Sequence, residues 1–405
     1  MEERTTIEGE WDAISTTPLP PRSARTGTAP ASGGGTKAPV PPSGGQKPAK
    51  RKKPLLWQLY KFFFVAGCAA FLLFAGWFYL TPWGNEYRYM LADSLIATQH
   101  REWAKYIIGE KALKERVADY VRQFEHMGEE RDTHTIPKDE TQAGAEQEES
   151  RKLTSIEEVS GEGFRGYLLT IADPKKIRLV VPNKKGRGEK VSSMVKRTGA
   201  VAGVNAGGFS DPNWRGNGFK PIGLVISQGE VYYNGLGNTK SVQIVGLDKE
   251  GKMLAGKYSL DELLELGVSE AVSFSPRIIV NGKGLIPNRA QGWGIAPRTV
   301  MAQRADGAIL FLLIDGRQPG HSLGATLYDA QEILLEHGAV IAANLDGGSS
   351  TVLVAEGGEI VNKPSSSSGE RYLPTAFLVF EHPDSVDVPN VWAGMKPSEI
   401  DAGKW

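Results

Sequence analysis

Cysteine is nearly absent. The chain has a single one in 405 residues, Cys68, and it lies inside an apolar run. Neither a disulfide framework nor a cysteine-built metal site is available. Net charge is also missing, because 47 Lys and Arg are matched by 47 Asp and Glu. No overall field therefore directs the molecule to nucleic acid, which is not expected as a partner. Histidine is scarce, at six residues. Only His321 lies near an acidic motif, which argues against a transition-metal site. No cofactor is expected, and an oxygen-only Mg²⁺ or Ca²⁺ site stays open. The lack of disulfides does not fix the compartment, since a large core suffices for stability.

What is present divides the chain into five stretches. Residues 1–54 are rich in Pro, Gly, Ser, Thr and Ala and bury too little apolar surface to offset their ordering entropy. They read as a disordered cytoplasmic tail ending in Lys47, Lys50, Arg51, Lys52 and Lys53. Residues 55–80 form a hydrophobic run with no charge after Lys61. At about 1.5 Å per residue it is long enough to cross about 30 Å of hydrocarbon. The basic cluster precedes it and only Arg88 follows closely, so the N-terminus is expected in the cytoplasm and the remainder outside the cell. Residues 81–150 read as a helical stalk or small packing helix, without the clean heptads of a coiled coil, followed by an acidic linker. Residues 151–382 form the main domain, and residues 383–405 a loosely attached tail.

Within the main domain, short β-type runs at 167–171, 177–181, 222–227, 242–247, 271–275, 277–280, 309–314, 352–354 and 375–380 are separated by Gly, Asn and Asp turns. A capping box at Ser259–Glu262 opens one helix. Residues 326–337 form another, with Leu327, Ala330 and Leu334 on its buried face and Gly338 at its end. The class is α+β: mixed β-sheets with a few packed helices, preceded by one transmembrane helix and a helical stalk.

Candidate reactive residues gather at strand ends. Asn205 and Gly207 lie in VNAGGF, where adjacent glycines let backbone N–H groups approach an anion. Arg277 in SPR and Arg298 in APRT each sit beside a proline, and a guanidinium suits phosphate. For any one of them a structural ion pair is the competing reading. The apolar run 309–314 delivers Asp315 and then Arg317 at its C-terminal end, where rigid strands fix catalytic carboxylates. The string NLDGGSST places Asn344, Asp346, Gly347, Gly348 and Ser349 after another apolar run. Glu370 and Arg371 follow a Ser-rich loop that can close over the same region. One pattern is a decoy. GHSLG at 320–324 fits the lipase G-x-S-x-G elbow, but five residues separate Ser322's glycine from the strand, and no long βα alternation surrounds it.

Taken together, VNAGGF, PIGLVIS, APRT, LLIDGR, NLDGGSST and GERYLPTAFLV resemble the phosphodiester glycosidase family in order and combination. The resemblance spans residues 155–380 and is closest to bacterial members associated with exopolysaccharide metabolism. Two departures exist. Many relatives read NAGFF where this chain has NAGGF, and many have a third glycine before the serines. The resemblance implies hydrolysis of a sugar-1-phosphodiester or glycopolymer, with an N-acetylglucosamine-like sugar leaving a phosphate monoester. It implies Asp346 as principal catalytic carboxylate and Asp315 as the second. Arg298, with Arg277 or Arg371, is then expected to hold phosphate, with Arg317 nearby. Asn205 and Asn344 are expected to orient sugar hydroxyls, and Gly347, Gly348 and Ser349 to supply donors. A non-catalytic glycopolymer-binding module and a metal-dependent phosphodiesterase are the alternatives. Nothing in the sequence sets the oligomeric state.

Overall fold

The computed structural model describes residues 55–98, 100–137, 152–212 and 215–404. The expected disordered tail (1–54) and most of the acidic linker lie outside the described residues. The chain falls into two units, Met1–Gly84 and Asn85–Trp405. In the first, helix α1 spans Leu55–Leu80. Its segment Leu56–Leu80 has a mean hydropathy of 2.0 and no buried share, so it is long and apolar enough to cross a membrane.

The second unit is α+β, as expected, and is built on three sheets whose described strand pairs run antiparallel. The strands are β1 (Thr154–Gly161), β2 (Phe164–Ile171), β3 (Ile177–Val180), β4 (Ala202–Asn205), β5 (Leu224–Ser227), β6 (Glu230–Asn234), β7 (Val242–Asp248), β8 (Met253–Tyr258), β9 (Val268–Ser273), β10 (Arg277–Val280), β11 (Lys283–Gly284), β12 (Arg298–Arg304), β13 (Ile309–Ile314), β14 (Ala339–Asn344), β15 (Leu353–Ala355) and β16 (Ala376–Val379). A seven-stranded sheet has the order β1-β2-β13-β12-β14-β10-β11, a four-stranded sheet β15-β4-β16-β3, and a five-stranded sheet β6-β5-β9-β7-β8. Every residue of β13 is buried, as a central strand covered on both faces requires.

Helices α2 (Pro82–Ile96), α3 (Lys105–Ile108), α4 (Glu110–Glu129), α5 (Val191–Thr198), α6 (Leu260–Glu265) and α7 (Leu327–Glu336) cover these sheets. Both expected helices are present, with capping boxes at Ser259/Glu262 and Thr326/Asp329. Leu327, Ala330 and Leu334 are buried as the periodicity predicts.

Two expectations change. The segment read as a stalk belongs to the core. Ala92, Ile96, Leu113, Tyr120 and Met127 pack with Ile278, Trp293, Val300 and Leu312 of the large sheet and its loops. Asp93 is buried and accepts two hydrogen bonds from Arg116, at 3.0 and 2.8 Å, which locks α2 to α4. Gly294 at φ 68° lies against Ser94, where a Cβ would come within 2.3 Å of the Ser94 backbone nitrogen. These helices bury their apolar faces against the large sheet, so no heptad seam of a coiled coil is required.

The C-terminal stretch is not loose either. Trp392 is 2% exposed; its indole N–H donates to the Phe219 carbonyl at 3.0 Å, and its ring meets Phe219 and Tyr233. Val388, Val391 and Ile400 join the same cluster. Isolated apolar residues spaced along a Pro-rich segment carry no periodicity, so burial here comes from tertiary contact alone. Trp392→Ala should lower the free energy of unfolding by about 3–5 kcal/mol. Denaturant titration of the detergent-solubilised chain measures this, and a loss below about 1 kcal/mol would mean the segment is not part of the core.

Candidate active site

The two strings richest in polar residues end neighbouring strands of different sheets. VNAGG closes β4 of the four-stranded sheet, and NLDGGSST carries the chain from β14 of the seven-stranded sheet to β15. At this seam the Asn205 side chain, fully buried, donates to the Asp346 carbonyl at 2.5 Å. Its own carbonyl oxygen accepts from the Thr299 hydroxyl at 3.0 Å and from the Val352 N–H at 3.1 Å. The Asp346 N–H in turn donates to the Ala206 carbonyl at 3.0 Å. Asn205, expected to orient a sugar, is therefore spent on holding the two sheets in register. Gly207 donates its N–H at 3.0 Å to the hydroxyl of Thr375, which precedes β16 of the same sheet as β4. Gly347 is required by close approach, since a Cβ there would lie 2.8 Å from the Pro297 carbonyl oxygen.

Asp346 emerges from this frame with its carboxyl raised to about 6, chiefly by burial. Asp211 pushes in the same direction, and a hydrogen bond from Ser350 and the charge of Arg371 oppose the rise. Two arginines flank it. Arg371 donates to the Ser349 hydroxyl at 3.3 Å, pairs with Asp211 at 2.8 Å and lies over the Phe209 ring. Arg317 holds a left-handed backbone (φ 60°) that aims it across Gly348, where any side chain would meet its guanidinium at 3.3 Å. Burial lowers the pKa of Arg317 and the nearby Asp346 charge opposes that. The arrangement is a carboxylate with two cations and the Gly347–Gly348 turn beside it. Such a set can hold an anionic group against a reacting centre. Asp211 and Phe209 were not among the expected residues. The signal available for them was only their place directly after the Gly-Gly turn.

Other expected residues sit elsewhere. Arg298 turns away from Asp346, donating to the carbonyls of Ala325 (3.1 Å), Trp293 (2.9 Å) and Gly294 (2.8 Å), and burial lowers it to about 10. Arg277 is 1% exposed and donates to Ala255 of β8 at 2.9 Å, tying the large sheet to the five-stranded one. Both are the first residues of strands, and strand alternation sends their side chains to interior faces. The hydrogen bonds of these two arginines are to main-chain carbonyls, away from the Asp346 cluster. Asn344 is buried; it donates to the Ser275 carbonyl at 3.4 Å, and its side-chain oxygen has no partner among the described residues.

Asp315 is also engaged by protein. Its carboxylate accepts from Asn362 at 2.9 Å and from the Lys363 N–H at 3.1 and 3.2 Å, and it meets His321 Nε2 at 2.8 Å. It is 1% exposed, whereas the His321 side chain keeps 27% of its surface open. A carboxylate so placed can orient an imidazole. Ser322 is buried, donates to the Asp315 carbonyl at 2.6 Å and accepts from the Arg165 N–H at 3.1 Å. No helix starts behind it before Leu327, so the GHSLG string is not a nucleophile elbow. Among the described residues no group of three or more His, Cys, Asp or Glu side chains gathers as a metal site.

Residues 198–380 match the model of the phosphodiester glycosidase family. That span contains every string on which the resemblance rested, and with them Asn205 and Asp346 of the seam. The SPbeta prophage-derived uncharacterized protein YomE of Bacillus subtilis (strain 168) is 32% identical over 206 residues, covering 48% of this chain and 30% of that protein. The chain thus spans under a third of the length of this curated relative. Among solved structures, the zebrafish N-acetylglucosamine-1-phosphodiester alpha-N-acetylglucosaminidase catalytic domain, auto-inhibited by its pro-peptide, is similar with a TM-score of 0.47 and 19% identity. That match covers 57% of this chain and 85% of the zebrafish one. A hypothetical protein from Synechocystis gives a TM-score of 0.42 at 17% identity, over 56% and 62% of the two chains.

Asn205→Ala should cost about 2–3 kcal/mol of stability, because it leaves the Thr299 hydroxyl and the Val352 N–H without their buried acceptor. Chemical denaturation checks this. A near-neutral Asn205→Ala would mean that the seam does not depend on this amide.

Proposed function

We propose that the chain hydrolyses sugar-1-phosphodiesters at the anomeric carbon, with Asp346 as the catalytic carboxylate and Arg317 and Arg371 as the phosphate clamp. The observation that carries this reading is the pairing of one burial-raised carboxylate with two arginines on the same rim. In the reaction the bond between the anomeric carbon and the bridging oxygen breaks, and that oxygen leaves with its electron pair on phosphate. The oxygen of water ends on the anomeric carbon, and its released proton is accounted for on the phosphate monoester or in solvent. Phosphate is a good leaving group, and two cations that neutralise it take over much of the work of a general acid. Asp346 acts as nucleophile or as base for water, and in either role it must be ionised. Asp315 is proposed as a positioning residue that fixes His321, and His321, partly exposed, as a second proton-handling group. Ser349 and the Gly347–Gly348 turn contribute donors beside the carboxylate.

The family match supports a sugar-phosphodiester substrate, and we extend it to an N-acetylglucosamine-like sugar in an exopolysaccharide or wall glycopolymer. We further propose that α1 spans the cell membrane once with the Lys47–Lys53 cluster on the cytoplasmic side, which puts the catalytic unit outside the cell.

The decisive assay incubates the detergent-solubilised full chain with an alkyl phosphodiester of N-acetylglucosamine-1-phosphate, with and without chelator. Free sugar plus phosphate monoester is the expected outcome. Release of sugar phosphate would mean P–O cleavage instead, and binding without turnover would favour a glycopolymer-binding module. Asp346→Asn should lower kcat by about 10³-fold or more, and near-full activity in this variant would sink the assignment. His321→Ala should cost about 10²-fold or more in kcat.

The pH dependence has a definite sign. Asp346 must lose its proton to act, and its carboxyl is raised to about 6. Turnover should therefore fall about fivefold between pH 6 and pH 5. The same shift makes ionised Asp346 a burden on folding. Its folded pKa lies above the ordinary carboxylate value, so its stabilising contribution is present at low pH and is lost as pH rises through about 6. Asp346→Asn should accordingly raise the melting midpoint at pH 7.5 by about 2–4 °C while abolishing turnover.

A further inference from the structure

The second unit covers its aromatic side chains, with one exception. Among the described residues, all of its exposed Trp, Tyr and Phe side chains fall in the stretch 87–106, as Tyr87, Trp103 and Tyr106. Trp103 is 57% exposed and Tyr106 78%. Elsewhere in this unit the exposed large apolar residues are aliphatic and scattered: Ile156, Ile222, Leu264, Leu266, Leu323 and Ile360. Single exposed aliphatic side chains are normal on a protein surface, whereas aromatics gathered in one stretch mark a contact surface.

Local structure turns these side chains outward. On α2, Tyr87 and Leu91 are one turn apart and both exposed, while Ala92, Asp93 and Ile96 are buried. From Arg101 to Ile108 the chain is again helical, and there Trp103 and Tyr106 are exposed while Ala104 is buried. Ala92, Ile96 and Ala104 belong to one core cluster with Val300 and Leu312 of the large sheet. The exposed faces of both helical segments therefore stand on the outer side of one covering layer. Trp103 touches the His100 ring at 4.5 Å and the Lys105 ammonium lies 5.6 Å from the Tyr106 ring, and both aromatics still keep most of their surface open.

Chain length and side-chain chemistry name the partner. Tyr87 lies seven positions after Leu80, the last residue of α1. An extended chain covers at most about 3.6 Å per residue, so Tyr87 is within about 25 Å of the end of α1. Between residues 82 and 116 six basic residues face five acidic ones, so the face has almost no net charge to select a polyanion. Trp and Tyr are the side chains that settle at the boundary between head groups and hydrocarbon, where an apolar body and a polar tip are both satisfied. We propose that the face formed by Tyr87, Leu91, Trp103 and Tyr106 lies in the head-group layer of the bilayer, on the side where α1 emerges at Leu80. This rests on the membrane-crossing reading of α1 above and goes beyond it. The second unit is held down on the lipid surface by aromatic burial and is not carried on a free stalk. The proposed active site is then presented at a constant height above the bilayer.

The test uses the full chain in phosphatidylcholine nanodiscs that hold one chain each. Three proteins carry one fluorescent label apiece: the natural chain at Cys68 in α1, Cys68→Ser/Glu102→Cys beside Trp103, and Cys68→Ser/Lys249→Cys on the β7–β8 turn. Lipids bearing a spin-label quencher, either at head-group level or deep in the acyl chains, are added in turn. The Cys68 label should respond most to the deep quencher. The Glu102-site label should be quenched at head-group level about threefold or more above the Lys249-site label. Adding Leu91→Ser, Trp103→Ser and Tyr106→Ser should bring it down to the Lys249-site value. Because these side chains are exposed, the melting midpoint of that variant in detergent should stay within about 2 °C. Raised salt should leave the quenching unchanged, since charge does not hold the face down. Quenching at Cys68 with none at Glu102 above the Lys249 control overturns the docking face while α1 still crosses. Quenching at Glu102 without quenching at Cys68 keeps the docking face and removes the crossing. Shielding of the Glu102 site that appears only in discs holding two chains means that the face joins two copies, and overturns the proposal.

Discussion

The structure depends on one seam. The seven-stranded and four-stranded sheets meet where β14 and β4 end, and the Asn205 amide bridges them by contacting the Asp346 carbonyl, the Thr299 hydroxyl and the Val352 N–H. A buried amide with both ends satisfied is costly to disturb, because each lost partner leaves a polar group in a low-dielectric interior. The turn after β14 is thereby held tightly, and Asp346 with it. The backbone on both sides of the carboxylate is hydrogen-bonded across the seam. Its side chain is left to face the arginines.

That arrangement explains how charge is distributed around the site. A carboxylate raised by burial needs cations close enough to act on but not so close that they pin it as a simple ion pair. Arg371 is restrained by Asp211, and Arg317 by its left-handed backbone, so neither closes onto Asp346 with a direct salt bridge. Asp315 meets a different demand. With His321, Asn362 and the Lys363 N–H around it, it stitches together the loops that follow β13 and β15. The two aspartates look equivalent in the sequence and differ in the fold by which of them keeps an open side.

The covering elements serve the same end. Helices α2 and α4 close the face of the large sheet over Trp293 and Val300, and Arg298 ties that cover to the start of α7 through three carbonyls. On the far side Trp392 and Ile400 pack beneath Phe219. There the chain from 400 to 404 is gripped by Asn217, in the loop that carries Asp211. Segments remote in sequence from the reactive strings therefore set the geometry of the clamp.

The sequence by itself determined the α+β class, the apolar helix at 55–80, both capped helices and the six strings that match the family. All of these depend on local periodicity, turn chemistry or motif order, and each can be read within about ten residues. Asp346 and Arg371 drew notice for the same reason, since polar groups packed densely at strand ends are visible without a fold. Only the tertiary structure decided which arginines face the carboxylate. Arg277 and Arg298 sit beside prolines at strand starts much as a binding arginine would, and the face to which each side chain turns depends on sheets assembled from distant strands. The same holds for Asn205, for the helices at 82–129 and for Trp392. Each is buried through contact with residues far away in sequence, and no local pattern records such a contact.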